Sequence, residues 1–178
     1  MSSPSIVRPA GPADEPEIWR LFNLMHKENG LFKMSVPKVQ YYLDRVLYPE
    51  KIAGMDAGPR GFIGVIGAAG ALEGVIMLVL GAAWYSDEIS LDDAVNFVDP
   101  AHRESNHAKA LIAYAKHMVD EVRLGHPTFR MIVGVLSTKR TAAKIRLYER
   151  MQLAPIGAFF AYPPPADFEP LKGTFFRQ

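Results

Sequence analysis

Residues 95–111 read VNFVDPAHRESNHAKAL and join a predicted strand to a predicted helix. The apolar strand stops at Asp99-Pro100, a short polar loop follows, and an amphipathic helix then begins. A junction of this kind directs several backbone N–H groups and the positive end of a helix dipole toward one point. The stretch therefore predicts a site for a phosphate or pyrophosphate group.

The segments before this stretch predict two helices and a set of strands. Apolar residues recur at helical spacing from Ile18 to Met25, and Ser35 and Pro37 are typical of the start of a second helix. The strands that follow are separated by short turns, which favours antiparallel hairpins. The predicted elements are a strand at residues 6–9, helices at 12–30 and 35–48, and strands at 62–66, 72–84 and 89–98.

The segments after the stretch predict a crossover unit. Apolar residues mark one face of the helix, and a strand follows it so closely that this strand should lie parallel to the one before the loop. A further helix and two short strands complete the chain. The predicted elements are a helix at 108–122, a strand at 129–136, a helix from Ser137 or Thr138 to about Met151, and strands at 156–162 and 175–176.

Length and composition are those of an ordinary globular chain. Its 178 residues suit a single domain, residues 1–178, with 49% apolar and 22% charged residues. The net charge of +1 gives no overall field that would attract nucleic acid or a membrane. The longest apolar run is too short to span a bilayer, and the N-terminus lacks the pattern of a signal peptide, so we expect a cytoplasmic protein.

Cysteine and histidine usage limits the chemistry that is expected. The chain has no cysteine, which excludes a disulfide framework, thiol catalysis and thiolate metal sites. Its five histidines show no His-x-His or His-x-x-x-His spacing. The sequence therefore predicts no metal site.

The strand-loop-helix stretch resembles the acyl-CoA-binding motif of the GCN5-related N-acetyltransferases (GNAT). The family signature is Arg/Gln-x-x-Gly-x-Gly/Ala after a strand that ends in Val-x-Pro, and here Val98-Asp99-Pro100 precedes residues 103–108, RESNHA. Ala108 is a common variant of the second glycine. Asn106 replaces the first glycine, and we expect it to adopt a glycine-like positive φ, which asparagine tolerates better than other residues. The amino-acid sequence of this loop and of residues 84–86 also resembles that of a phage-borne branch of the family.

The resemblance implies a fold and a mode of cofactor binding. The fold would be α/β with a mixed, mostly antiparallel central sheet, one splayed parallel strand pair and flanking helices, and the predicted element order agrees with it. The pantetheine arm of acetyl-CoA would lie between the splayed strands, although the sequence alone equally allows two fully paired strands. The implied contacts are the strand residues Asn96, Phe97 and Val98, and the loop residues Arg103, Glu104, Ser105, Asn106, His107, Ala108 and Lys109.

The segment at residues 138–153 resembles the C-terminal motif of the same family. Leu147-Tyr148 matches the motif, whereas its asparagine, alanine and Gly-Phe positions are occupied by other residues. The resemblance implies that Tyr148 donates a proton to the leaving CoA thiolate, which a phenol that stays protonated at neutral pH can do. The alternative is a tyrosine that packs on the sheet and has no catalytic role.

A general base is expected on the strand that leads into the loop. Family members often supply it there, and Asp93 is our candidate, although Asp93 and its neighbour Asp92 could simply be solvated. Strict alternation would place Asp93 on the face of Val95 and Phe97. A bulge near Asn96, usual for the family, would place it on the opposite face.

The sequence leaves two alternatives for the role of each of two further groups of side chains. Aromatic residues could line an acceptor pocket or belong to the core. A basic cluster could meet the 3′-phosphate of CoA, but we favour the exposed face of a helix. The aromatic group is Tyr41, Tyr42, Trp84 and Tyr85, and the basic group is Lys139, Arg140, Lys144 and Arg146.

The expected function is N-acetyl transfer from acetyl-CoA, used as co-substrate without a metal, to a primary amine in a ternary complex. Without cysteine, an acyl-cysteine intermediate is excluded. The alternative is a non-catalytic GNAT-like module that binds CoA or a protein partner. The aromatic tail at residues 163–178 could add a final strand or a homodimer contact.

Overall fold

The computed structural model describes residues 6–52, 61–82, 85–135 and 140–156. It is an α/β structure with flanking helices, as the sequence predicted. The elements are β1 Arg8–Pro9, α1 Glu15–Asn29, α2 Val36–Leu47, β2 Gly61–Ala68, β3 Ala71–Ala82, β4 Ile89–Val98, α3 His107–Arg123, β5 Arg130–Ile132 and α4 Thr141–Arg150. Among the helices that the structure describes, none is long and apolar enough to cross a membrane.

The five strands form one mixed sheet in the order β1-β2-β3-β4-β5. The first four strands pair antiparallel, and β5 pairs parallel to β4. A tight turn joins β2 to β3, and Gly70 takes a φ of +84° there, which glycine adopts without steric cost. The expected antiparallel hairpins and the single parallel pair are therefore confirmed.

Helices cover both faces of the sheet. One core cluster joins α1 and α2 to the sheet through residues such as Leu21, Leu43 and Val75. A second cluster joins α3 to the opposite face through Leu111 and Ile76, among others. Each fully buried Leu or Ile side chain contributes about 1.5–3 kcal/mol, so these clusters fix α3 and the loop before it against the sheet.

A β-bulge in β4 decides which side chains face α3. The pairing with β3 shifts by one residue, because Met77 lies opposite Val95 while Leu78 lies opposite Asp93, which leaves Ala94 as an extra residue. The core residue Leu91 consequently packs on the α3 side, whereas Val95 packs on the side of α1 and α2. The expected bulge is confirmed, and the assignment from strict alternation is wrong.

The last strand and helix differ from their predicted bounds. β5 ends at Ile132 instead of 136, because the chain leaves β4 at that point. α4 begins at Thr141, directly after its N-cap Arg140, whose φ of 58° lies in the left-handed region. Ile156 is exposed and in no strand. Several predicted features lie outside the described residues: Ser137 and Thr138 as helix caps, Trp84, Lys139, the strand residues 157–162 and 175–176, and the tail at 163–178.

Candidate active site

The parallel strands β4 and β5 separate after three residue pairs. Ser90, Leu91 and Asp92 pair with β5, whereas from Asp93 onward β4 pairs with β3 alone within the described ranges. The backbone N–H of Gly134 donates to the carboxylate of Asp93 at 2.7 Å instead of extending the ladder. The splayed pair that the resemblance implied is therefore present, and among the described residues it leaves the edge of β4 away from β3 open along Asn96, Phe97 and Val98.

Tyr148 of α4 reaches this open edge. Its hydroxyl accepts a hydrogen bond from Nδ2 of Asn96 at 3.3 Å. Burial raises the pKa of Tyr148, and the negative charge of Asp93 acts in the same direction. The phenol is therefore protonated at neutral pH. We call the space beside the open edge of β4, which Asn96, Asp93 and Tyr148 border, the cleft.

Asp93 has the properties of a base at the same place. Burial raises the pKa of its carboxyl to about 6, although the hydrogen bond from Gly134 opposes the shift. The carboxylate is ionised at neutral pH but accepts a proton more readily than an ordinary aspartate. Because of the bulge, Asp93 shares the face of Asn96 and so faces α4, which strict alternation did not predict.

Lys144 is a cleft residue that the sequence interpretation missed. It is half-buried, and burial lowers the pKa of its ammonium, while the charges of Glu28 and Asp93 oppose this effect. Our expectation that Lys144 lies on the exposed face of its helix is wrong, whereas Arg140 and Arg146 are exposed. The signal was its spacing, since residues four apart such as Lys144 and Tyr148 share one helix face.

The loop after β4 folds without a left-handed residue. Asn106 is the N-cap of α3 with φ −88° and ψ 12°, so the expected glycine-like turn at this position is wrong. The side chains of Asp99 and Ser105 stabilise the loop, accepting from the N–H groups of Ala101 at 3.0 Å and His107 at 3.2 Å. Any L-residue fits the backbone conformation of Asn106, which explains why glycine is not needed there.

The same loop leaves backbone donors available at the N-terminus of α3. Among the loop residues expected to contact the cofactor, the N–H of Ser105 donates to the carbonyl of His102, and the N–H of His107 donates to the hydroxyl of Ser105. The first N–H groups of an α-helix have no acceptor within the helix. Within the described part of the chain, no partner is found for the N–H groups of Glu104, Asn106, Ala108 and Lys109.

Arg103 and Lys109 differ in how available their positive charge is to a bound anion. The guanidinium of Arg103 bonds the carboxylate of Glu28 and the carbonyl of Val98, and it lies over the Phe97 ring. Its charge is therefore partly neutralised, and its main effect is to join the loop to α1. Lys109 is exposed on the first turn of α3 and is the cation better placed for a phosphate.

Comparison with known proteins identifies the fold of the chain. No family model matches the chain, and no curated protein matches it in sequence. Its structure is similar to that of AAC(6')-Iy in complex with the bisubstrate analogue CoA-S-monomethyl-acetylneamine, with TM-score 0.63 and 13% identity over 92% of this chain and 100% of that one. The chain has the GNAT acetyltransferase fold.

Two further structures support the GNAT fold. One is a possible acetyltransferase from Clostridium difficile 630, with TM-score 0.61 and 16% identity over 90% of this chain and 97% of that one. The other is the aminoglycoside acetyltransferase meta-AAC0020 from an uncultured soil metagenomic sample, in complex with trehalose. It has TM-score 0.58 and 13% identity over 90% of this chain and 96% of that one.

Of the aromatic residues predicted for an acceptor pocket, Tyr41 and Tyr42 pack edge-on with ring centroids 5.6 Å apart, whereas Trp84 lies outside the described residues. Tyr41 and Tyr85 are exposed. Tyr42 borders a hollow of about 380 Å³ at the connection between α1 and α2, together with Phe32, Met34 and Val39.

The structure also brings together polar residues whose spacing gave no signal. Glu73 of β3 lies against His102 of the loop and His107 of α3. The predicted absence of a metal site rested on local histidine spacing, and local spacing cannot reveal a group that draws on separate segments.

Proposed function

We propose that the protein is an acetyl-CoA-dependent N-acetyltransferase that transfers the acetyl group directly to a primary amine. The observation that carries the proposal is the open edge of β4, with Asp93 and Tyr148 in one cleft and free N–H donors in the adjoining loop. The solved complex of AAC(6')-Iy with a CoA bisubstrate analogue supports it, since that protein shares the fold.

The residues of the cleft fit acetyl-CoA. On the side of β4 away from β3, no described strand pairs with residues 96–98, so the backbone of Asn96 and Val98 can pair there with the amides of a pantetheine arm, as an added strand would. The available N–H groups of the loop and the Lys109 ammonium can hold the pyrophosphate. Acetyl-CoA would supply an activated acetyl thioester.

Two side chains of the cleft can move the protons that this transfer requires. Asp93 can take a proton from the acceptor ammonium, directly or through a water molecule, so that the amine becomes nucleophilic. Tyr148 can give its proton to the sulfur as the bond to the acetyl group breaks. Since Tyr148 must then regain a proton, its raised pKa favours the neutral phenol at equilibrium.

The acceptor class is best approached through compounds that carry several amines. The aminoglycoside acetyltransferase meta-AAC0020 has also been solved in complex with sisomicin, and its structure matches this chain with TM-score 0.59. Aminoglycosides therefore stand first among the acceptors to test, followed by diamines, peptide N-termini and lysine peptides.

Release of the CoA thiol measures the proposed activity. We expect at least one amine of this panel to accelerate thiol release from acetyl-CoA above the rate of hydrolysis. The product should carry one acetyl group by mass spectrometry. If acetyl-CoA binds but no amine accelerates thiol release, the protein is a non-catalytic CoA-binding module and the proposal is wrong.

A further inference from the structure

A second cluster of polar side chains lies on the α3 side of the sheet and consists of Glu73, His102 and His107. Their ligand atoms all lie within 4.8 Å of one another. Nε2 of His107 is 2.5 Å and Nδ1 of His102 is 3.4 Å from the same Oε2 atom of Glu73. The two imidazole rings stack, with centroids 6.0 Å apart and planes at 21°. One carboxylate oxygen thus faces two imidazole nitrogens.

Hydrogen bonds hold the backbone that carries these side chains independently of any ligand. The carbonyl of Glu73 accepts from the N–H of Asp99 at 2.8 Å, which joins β3 to the start of the loop. The hydroxyl of Ser105 donates to the carbonyl of His102 at 2.5 Å and accepts from the N–H of His107 at 3.2 Å. The backbone segments that carry the two histidines are therefore held in one arrangement. Ion binding consequently loses little backbone conformational entropy.

The donor set is that of a first-row transition-metal site. Two imidazole nitrogens and one carboxylate oxygen form a His₂Glu set, which binds zinc in proteins and leaves a fourth position open. Calcium and magnesium prefer oxygen ligands throughout, so they fit less well. His107 is buried whereas His102 is exposed, so the open position can be filled by water.

The observed distances are compatible with this geometry after a small adjustment. Zinc–nitrogen and zinc–oxygen bonds of about 2.0–2.1 Å in a tetrahedron place the ligand atoms roughly 3.4 Å apart. The atoms of His102 and Glu73 already have this separation of 3.4 Å. The shorter 2.5 Å contact from His107 must widen, which the half-buried Glu73 side chain permits by rotation about its own bonds.

We propose that Glu73, His102 and His107 bind one divalent transition-metal ion, with zinc as the best fit, and that the ion joins β3 to the loop and to the first turn of α3. The ion takes the place of the hydrogen bond between Nε2 of His107 and the carboxylate of Glu73. This site is separate from the cleft with Asp93 and Tyr148, and it does not depend on acetyl transfer.

Calorimetric titration of tag-free protein with zinc sulfate tests this proposal. We expect one zinc ion per chain and a rise in the unfolding temperature on saturation, because the ion binds the folded state. The variants Glu73→Gln and His102→Asn should each weaken zinc binding by more than about 100-fold, since even loss of an outer-shell partner costs about 10- to 100-fold. Both residues are accessible, so both variants should fold, which circular dichroism checks.

His117→Asn is the matched control. His117 also lies on α3 beside a glutamate, with Nδ1 4.0 Å from Glu121, but its side chain is exposed, and among the described residues it belongs to no group of three such ligands. This variant should bind zinc as the wild type does. Titration with Co²⁺ gives a second readout, because ligand-field absorption should appear in the wild type and vanish in Glu73→Gln. Equal affinity in Glu73→Gln and wild type, or no stoichiometric binding, would indicate an adventitious ion only and overturn the proposal.

Discussion

Asp93→Asn is expected to make the protein more stable and far less active. Burial raises the pKa of Asp93 to about 6 in the folded protein, above the value of about 3.9 in an unfolded chain. The folded state therefore favours the protonated form, and its stability falls as the pH rises from about 4 to about 6. A shift of about two pKa units corresponds to about 3 kcal/mol of destabilisation that persists at neutral pH.

Asparagine removes this buried charge and keeps an oxygen that can accept from the N–H of Gly134. We expect the free energy of unfolding at neutral pH to rise by about 1–3 kcal/mol, which shifts the unfolding temperature upward by several degrees. Denaturant unfolding at neutral pH and at about pH 4 measures the effect, and the difference between variant and wild type should disappear at the lower pH.

The same variant should lose the base of the reaction. Positioned general bases contribute about 10²- to 10⁴-fold, so we expect kcat to fall by at least about 100-fold. In the wild type, kcat/KM should rise with pH through about 6, and this limb should be absent from the variant. Asp120→Asn is the control, because Asp120 is an exposed carboxylate of α3 and is not among the groups that shift the pKa of Asp93. If Asp93→Asn retains the rate and the limb, the base lies elsewhere.

Tyr148→Phe is expected to lower kcat by about 100-fold or more with little change in acetyl-CoA affinity. The substitution removes the proton donor and keeps the aromatic ring. Asn96 loses its bond to the hydroxyl but is half-buried, so water can replace that partner.

A second tyrosine provides the comparison for Tyr148. Tyr114 is also half-buried, and its ring packs edge-on against Phe62 at 5.9 Å, away from the cleft. Tyr114→Phe should leave kcat unchanged. An equal loss of kcat and of acetyl-CoA affinity in Tyr148→Phe would show that the residue is structural.

Much of the fold could be predicted because its signals are local. The bounds of β4, Ile89–Val98, were predicted to the residue, since a polar turn precedes the strand and Asp99-Pro100 follows it. Helical periodicity located α1, α2 and α3. The end of β5 could not be predicted in this way, because it depends on a side-chain contact between Asp93 and Gly134 that exists only in the folded sheet.

The site was predictable where a motif fixed a residue and not where packing decided its surroundings. The Leu147-Tyr148 pair identified a tyrosine that the structure places at the open edge. The face occupied by Asp93 depends on the bulge at Ala94, which has no pattern of its own in the sequence. Lys144 is half-buried only because α4 meets elements that are distant along the chain.

A calorimetric titration with acetyl-CoA tests the central claim, that the cleft beside β4 binds this co-substrate. We expect one site per chain, weakened several-fold by Lys109→Gln at the start of α3 and unchanged by Arg123→Gln at its end, since both are exposed cations on one helix. Enzymes bind their substrates with KM values between about 1 µM and 1 mM. Absence of binding at millimolar acetyl-CoA, or an equal effect of the two variants, would contradict the account.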